Sequence, residues 1–392
     1  MEMKHEPVVG VQPEVFRWAR QTIGLSVDDV ARILKRSADE IEAWELGNKA
    51  PSYAQLEKLA YQVYKRPLAI FFLPAPPDEI TPKREFRTLP ESDLQTLLPD
   101  TYLQIRRAHA YQIALNELFN GRNPVDQPIW QMLTLTLGEP IEKQAKTIRG
   151  LLGVDIESQI AWSSDEISLK NWRKKIEEVG VFIFKNSFKQ KEISGFCLRC
   201  DNLPIIYLNN TTTKTRQIFS LLHELAHLLM DMNGLSKFDT DYIDRLPNQE
   251  KAIEKFCNAI AAEILIPRID FLEQTNRFPF EVDHIADEDF SNLANRYGVS
   301  REAILRRFLD QGRVNKVIYE QKAKFWSSQK KTGGSGNWYA SQNVYLSNRF
   351  ASEVISRYYR QQLTIDQAAD FLGVKVKNFE GLEQRILQGA GA

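Results

Sequence analysis

The chain has 392 residues, which predicts two or three domains, and its 51 Lys and Arg residues balance 51 Asp and Glu residues. A net charge of zero excludes a general attraction to nucleic acid or anionic membranes, so any DNA contact must come from a local patch. Three cysteines are too few for a disulfide framework, and no apolar run is long enough for a signal peptide or a membrane span. These features predict a soluble, cytoplasmic, mostly helical protein with no membrane partner.

Residues 13–66 alternate short amphipathic helical patterns with tight connections. Ser26 and Ser37 are the predicted N-caps of two short helices, over Val27–Leu34 and Ala38–Leu46. Two short helices joined by a tight turn, within a set of five helices, predict a helix-turn-helix.

The same segment resembles the bacteriophage-repressor-like (XRE) family of DNA-binding domains. The matching residues are Gly24-Leu-Ser26, Val30-Ala31, Ile41, Trp44-Glu45-x-Gly47, Pro51 and Leu56-x-x-Leu59-Ala60. The resemblance implies an XRE-like helix-turn-helix domain, which we place at residues 1–76.

Six residues of this domain are predicted DNA contacts, four to the phosphate backbone and two to base edges. They are Arg32, Lys35, Arg36 and Lys49 for the backbone, and Ser37 and Asp39 for the bases. Over residues 1–70, however, ten Lys and Arg residues balance ten Asp and Glu residues. The second helix of the motif also carries four carboxylates, which repel phosphates. A partner-docking or regulatory module of the same fold is therefore the alternative.

Residues 77–144 are predicted to form a helical connector. Prolines surround Phe71-Phe72-Leu73 just before it, so we expect a semi-rigid connection with an apolar anchor rather than a regular helix. Helices are predicted at about residues 98–120 and 138–152.

A helix from Glu166 to Val179 is followed by predicted strands over Val181–Phe184, Ile193–Leu198 and Leu203–Leu208. These elements predict a small sheet laid across a long helix, whose edge strand could pair with an extended peptide. Cys197-x-x-Cys200 lies in this region, but a zinc ribbon would need a second such pair. Both cysteines are therefore predicted to be structural.

The long helix carries His223-Glu224-Leu-Ala-His227 within an apolar run. Two histidines four residues apart leave one face of a helix, so both imidazoles can hold one metal ion. Glu224 lies beside them, at the position of a general base for a metal-bound water. The alternative is a pair of packed structural histidines in a core helix.

A catalytic zinc site normally has three protein ligands, and the third is predicted on the next helix, Gln249–Leu265. Glu254 is the best candidate because it shares a helical face with Asn258 and Ala261. Glu250, one turn earlier, is the rival. Tyr207 and Tyr242 are candidate partners for a developing oxyanion.

These residues resemble the ImmA/IrrE family of metallopeptidases over about residues 145–310. The motifs are His223-Glu-x-x-His227, Glu254-x-x-x-Asn258-x-x-Ala261, Leu265-x-Pro267, Phe86-Arg87-Thr88 and Arg216-Gln217-x-Phe219. The resemblance implies a zincin-like domain at residues 145–312, with Glu254 as the third ligand of zinc, or alternatively manganese. It also implies cleavage of a helix-turn-helix repressor or antitoxin in a stress or prophage-type response. Cys257 departs from the family pattern, which has Ala there.

Residues 313–392 are predicted to be a C-terminal helical region. Leu293 to Phe308 forms a second helix–turn–helix pattern that is predicted to pack on the peptidase, and Lys330 to Gly336 is predicted to be flexible and exposed. Leu363 to Gly373 predicts a capped helix. The whole chain is thus predicted to be mostly α with a small β-sheet (α+β).

Two functions besides peptidase activity fit the sequence. One is a DNA-binding transcriptional regulator whose metal site is structural or a switch. The other is an antitoxin-like binding protein, which would hold its partner intact.

Overall fold

A computed structural model of the chain describes residues 6–79, 86, 96–237, 241–279, 285–328 and 345–390. The predictions for Arg87, Thr88 and residues 330–336 lie outside the described residues. The predicted class is confirmed, because helices dominate and one small mixed sheet is present. The chain divides into two compact units, residues 1–109 with 188–190, and residues 110–187 with 191–392. The finer four-part division stays a prediction.

The first unit opens with four short α-helices. They are α1 (Pro13–Gln21), α2 (Val27–Leu34), α3 (Ala38–Glu45) and α4 (Tyr53–Lys58), which a π-helical turn (Leu59–Val63) prolongs. The predicted caps are present, since the hydroxyls of Ser26 and Ser37 accept hydrogen bonds from the backbone N–H groups of Asp29 and Glu40. The next helical element is a 3-10 turn, Leu68–Phe72, and not an α-helix. Of the expected apolar anchor, Phe71 is fully buried and stacked on Phe16 at 5.1 Å between ring centroids, whereas Phe72 and Leu73 are exposed.

The boundary between the two units falls within α5 (Pro99–Phe119). The helices of the second unit up to the sheet are α6 (Ile129–Met132), α7 (Ile141–Leu152), α8 (Ile156–Ile160) and α9 (Asp165–Glu178). The helices that follow β3, the strand Ile205–Asn209, are α10 (Lys214–Leu229), α11 (Asn248–Leu265), α12 (Arg268–Thr275), α13 (Asp287–Tyr297), α14 (Arg301–Asp310) and α15 (Lys316–Ser328). The chain ends with α16 (Asn348–Tyr359), α17 (Ile365–Leu372) and α18 (Phe379–Ala390). Two 3-10 turns, Asp241–Arg245 and Val376–Asn378, complete the described helical elements.

The sheet has four strands, β1 (Phe182–Asn186), β2 (Ile193–Leu198), β3 (Ile205–Asn209) and β4 (Gly234–Lys237), in the order β1-β3-β2-β4. β1 and β3 are parallel, whereas β2 is antiparallel to both β3 and β4. The three predicted strands are confirmed. β4 was not predicted, because four residues beginning with a glycine carry too little alternation to indicate a strand.

α10 lies across this sheet and packs against β2, α9 and α11. Thr213 caps its first turn by accepting a hydrogen bond from the backbone N–H of Arg216. Ile218, Leu221 and Leu225 are fully buried, and each such aliphatic side chain stabilises the fold by about 1.5–3 kcal/mol. The register of the histidines is therefore fixed by an apolar core on the other faces of the helix.

The predicted helix–turn–helix near the end of this core is also present. Gly298, with φ +66°, ends α13, and the hydroxyl of Ser300 caps α14. Phe290 and Phe308 bring these helices into the core of the second unit, with ring centroids 5.8 Å apart. Among the described residues, no helix is both long and apolar enough to cross a membrane.

Candidate metal centre

Three side chains from α10 and α11 converge in the core of the second unit. The Nε2 atoms of His223 and His227 are 3.0 Å apart. Glu254 places Oε2 3.4 Å from His223 Nε2 and Oε1 3.3 Å from His227 Nε2. His227 and Glu254 are fully buried, and His223 is 3% exposed. The structure therefore brings together the three residues that the sequence indicated, His223, His227 and Glu254.

The donor atoms of this cluster fit a divalent cation. Two neutral imidazole nitrogens at this separation direct lone pairs toward each other, which is unfavourable without a cation or a proton between them. Glu254 Oε1 is buried and has no hydrogen-bond partner within the described part of the chain. A buried polar atom without a partner is costly, and a cation would supply the missing interaction. Two histidines and one glutamate also form a donor set of catalytic metal sites.

The electrostatics of the cluster point the same way. Burial alone would raise the pKa of Glu254, but the positive charge of His227 and His223 in their protonated form outweighs that effect and holds its pKa well below the ordinary range. The carboxylate is thus held ionised in the protein interior. Fixed negative charge beside two imidazoles favours a bound cation.

Glu224, the predicted general base, lies beside the cluster and is fully buried. The hydroxyl of Ser236 on β4 donates a hydrogen bond to Glu224 Oε1. Glu224 Oε2 has no hydrogen-bond partner among the residues described. One carboxylate oxygen is therefore held by a hydrogen bond, and the other has no such bond within that part of the chain.

Gly234 brings the backbone of β4 directly against the histidine helix. A Cβ atom at this position would lie 2.5 Å from His227 Cδ2 and 2.8 Å from Glu224 Oε2. The backbone N–H of Gly234 donates to Cys197 Sγ at 3.1 Å. Sequence reasoning missed Gly234 and Ser236, because only the tertiary pairing of β4 with β2 brings them to the motif.

A small cavity of about 10 Å³ adjoins the cluster, which is room for roughly one water molecule. Its lining consists of Arg216, Phe219, Ser220, His223, Ser236, Lys237, Tyr242 and Asn258. Tyr242 donates its phenol hydrogen to Glu254 Oε2 at 2.9 Å, and burial, followed by the charge of Glu254, raises its pKa. Tyr207, the other candidate oxyanion partner, lies in β3 with its ring stacked on Phe196.

The remaining predicted site residues lie outside the cluster. Glu250 is half-buried on α11, and the group that can hold a metal contains Glu254 instead. All three cysteines are free thiols, and Cys197 is buried, as expected of a structural residue. Burial, followed by the charge of Glu224, raises the pKa of the Cys197 thiol.

Five of the six candidate DNA-contacting residues lie in α2, in α3 or in the turn between them, and Lys49 lies in the connection after α3. Arg32 pairs with Asp29 at 2.8 Å, and Arg36 lies 3.9 Å from Glu40. Of the other four, Lys35 ends α2, Ser37 caps α3, and Asp39 and Lys49 are exposed. Glu45 faces inward, where it forms a bidentate pair with Arg20 at 2.6 and 2.8 Å.

The geometry brings together three buried side chains that could hold a metal ion, with the carboxylate of Glu224 beside them. Residues 176–309 match the family model of the IrrE N-terminal-like domain, peptidase M78. The match covers 134 of the 392 residues and includes the sheet, α10 and α11. It supports a metallopeptidase-type function. None of the curated proteins compared with the chain matches it.

Proposed function

We propose that this chain is a zinc-dependent endopeptidase that cleaves a specific regulatory protein. The observation that carries the proposal is the buried convergence of His223, His227 and Glu254, with the carboxylate of Glu224 beside them. A structural metal site has no use for an acid–base group with a free oxygen, whereas hydrolysis requires one.

The residues divide the chemistry as follows. His223, His227 and Glu254 hold the ion, which when bound lowers the pKa of water and polarises the scissile carbonyl. Glu224 accepts the proton of the attacking water on Oε2 and then donates it to the amine that leaves when the C–N bond breaks. Ser236 keeps Glu224 in place through Oε1 during both transfers.

The substrate backbone is proposed to bind along β4. Within the described residues, β4 pairs with β2 alone, and because its first three residues are buried, an extended peptide can pair with its other edge only after the covering residues move. Gly234 and Ser236 contact the histidine helix directly. A peptide strand added there would run beside Glu224.

The substrate class follows from the ImmA/IrrE resemblance, which implies a helix-turn-helix repressor or an antitoxin. We propose that the chain acts in the cytoplasm and cleaves a protein of this class in a stress or prophage-type response.

The test compares the wild-type chain with Glu224→Gln, each loaded with zinc and added to a cell lysate. Labelling of new protein N-termini should reveal one or a few cleavage sites, concentrated in helix-turn-helix proteins, with the wild type only. Elemental analysis should show the same zinc content in both proteins, since the variant keeps all three ligands. Equal cleavage by Glu224→Gln would refute the assignment of the base. If the wild type bound zinc but produced no new N-terminus, the alternative function, a transcriptional regulator with a structural metal site, would be favoured.

For the first unit, the charge pattern supports a protein partner rather than DNA. Arg32 and Arg36 lie beside carboxylates, and exposed apolar side chains, Ile33 and Leu46, occupy the same helices and their ends. Binding of DNA would need cations that are free to replace phosphate counterions. Selection from a pool of randomised DNA duplexes should therefore enrich no sequence. Enrichment of a palindromic motif would overturn this assignment.

A further inference from the structure

The two carboxylate oxygens of Glu254 lie in different surroundings. Oε2 accepts the hydrogen bond from the hydroxyl of Tyr242 at 2.9 Å. Oε1 lies 3.3 Å from His227 Nε2, is buried, and has no hydrogen-bond partner in the described ranges. Both oxygens thus lie beside a histidine, since Oε2 is 3.4 Å from His223 Nε2, but only Oε2 also accepts a hydrogen bond from Tyr242.

Tyr242 is held firmly enough to maintain this difference. It belongs to the 3-10 turn Asp241–Arg245, which packs against α11, the helix that carries Glu254. The side chain of Tyr242 is only 4% exposed. Its ring also lies 5.9 Å from the ammonium nitrogen of Lys237, at the end of β4.

We propose that Tyr242 is a positioning residue that leaves Glu254 a single oxygen, Oε1, for a divalent cation. The inference rests on the proposed metal site and adds a residue outside the ligand set. Two imidazoles and one carboxylate oxygen make three protein donors, so a four-coordinate ion keeps one position for water. A carboxylate bound through both oxygens would raise the coordination number and crowd that position.

The choice of oxygen has a measurable consequence. Residues that hydrogen-bond a metal ligand fix its orientation, and losing one typically lowers metal affinity about 10–100-fold. In Tyr242→Phe, the ring remains but Oε2 is released. We expect the variant to bind about one zinc per chain at saturation, with a dissociation constant raised about 10–100-fold.

A matched control is available in the same unit. The hydroxyl of Tyr297 donates to Asp270 Oδ2 at 2.5 Å, so Tyr297→Phe also removes a phenol–carboxylate hydrogen bond. Asp270 is not part of the metal cluster. Tyr297→Phe should therefore bind zinc as the wild type does, even where its thermal stability is lower.

The experiment measures zinc dissociation constants of the full chain by competition with a chromophoric chelator, for the wild type and both variants. A dissociation constant for Tyr242→Phe within twofold of the wild type would overturn the inference and leave the proposed peptidase intact. Failure of the wild type to bind zinc would instead refute the proposed function, and this inference with it.

Cobalt(II) substitution tests the same inference in the wild-type chain itself as well as in the variant. The wild-type chain should show the intense visible absorption of a four-coordinate cobalt ion. In Tyr242→Phe, the absorption should weaken severalfold as the second carboxylate oxygen binds. Weak bands of a five- or six-coordinate ion in the wild type would overturn the inference.

Discussion

Gly234→Ala is the sharpest test of how β4 meets the histidine helix. The added Cβ atom would lie 2.5 and 2.7 Å from Cδ2 and Cγ of His227, and 2.8 Å from Glu224 Oε2. Carbon atoms in favourable contact are about 3.5–4.0 Å apart. The methyl group therefore overlaps the ring by about 1 Å, and either the strand or the imidazole must move by a similar distance.

The magnitude follows from that displacement. Overpacking a well-packed interior costs about 1–3 kcal/mol. For a unit of this size, each kcal/mol lowers the melting temperature by about 2–4 °C. Metal–ligand distances tolerate only about ±0.2 Å, so a shift of His227 should also lower zinc affinity.

The assay has two parts, thermal unfolding of the metal-free chain and zinc competition with a chelator. Gly150→Ala is the matched control, because a Cβ there would meet nothing within 4 Å and the residue lies inside α7. It should leave zinc binding unchanged and stabilise the unit by about 0.5–1 kcal/mol. If Gly234→Ala bound zinc and unfolded as the wild type does, β4 could not lie against His227.

Two further predictions concern the carboxylates. Ser236→Ala removes the hydroxyl that anchors Glu224, so kcat should fall roughly tenfold, as expected for a hydrogen bond to a charged group, with KM and zinc affinity unchanged. Ser236→Thr should recover part of the loss, and an unchanged kcat in the alanine variant would exclude a positioning role. Glu254→Ala removes a proposed ligand and should lower zinc affinity by more than the 10–100-fold that is typical when a residue hydrogen-bonded to a ligand is lost. Glu250→Ala should bind zinc with the affinity of the wild type. If a zinc titration showed the larger loss of affinity in Glu250→Ala, Glu250 would be the third ligand in place of Glu254.

The pairing of the two histidines could be predicted because its geometry is local. His223 and His227 share a helical face whatever surrounds them, and Glu254 shares a face with Asn258 for the same reason. The choice between Glu254 and Glu250 was harder, since one helical turn separates them. Burial distinguishes them, because Glu254 is fully buried and Glu250 is half-buried.

The surroundings of the cluster could not be predicted in the same way. Ser236 and Gly234 reach the motif through a four-residue strand whose register depends on pairing with β2. Tyr242 was named as a candidate, but its contact with Glu254 depends on a 3-10 turn between β4 and α11. Helix caps such as Ser26 and Ser37, in contrast, could be predicted from the sequence, since each cap depends only on the three residues that follow it.

For the proposed peptidase, the cavity beside the cluster limits which substrates can reveal activity. At about 10 Å³ it has room for roughly one water molecule, so a peptide can bind there only after the lining has opened. If one molecule in a hundred were open, the apparent affinity of any peptide would fall about 100-fold. A short fluorogenic peptide makes too few contacts to recover that loss, whereas an intact protein can recover it over a wider surface. Assays with peptide libraries should therefore report an inert protein, and the natural substrate should be cleaved only as a whole chain.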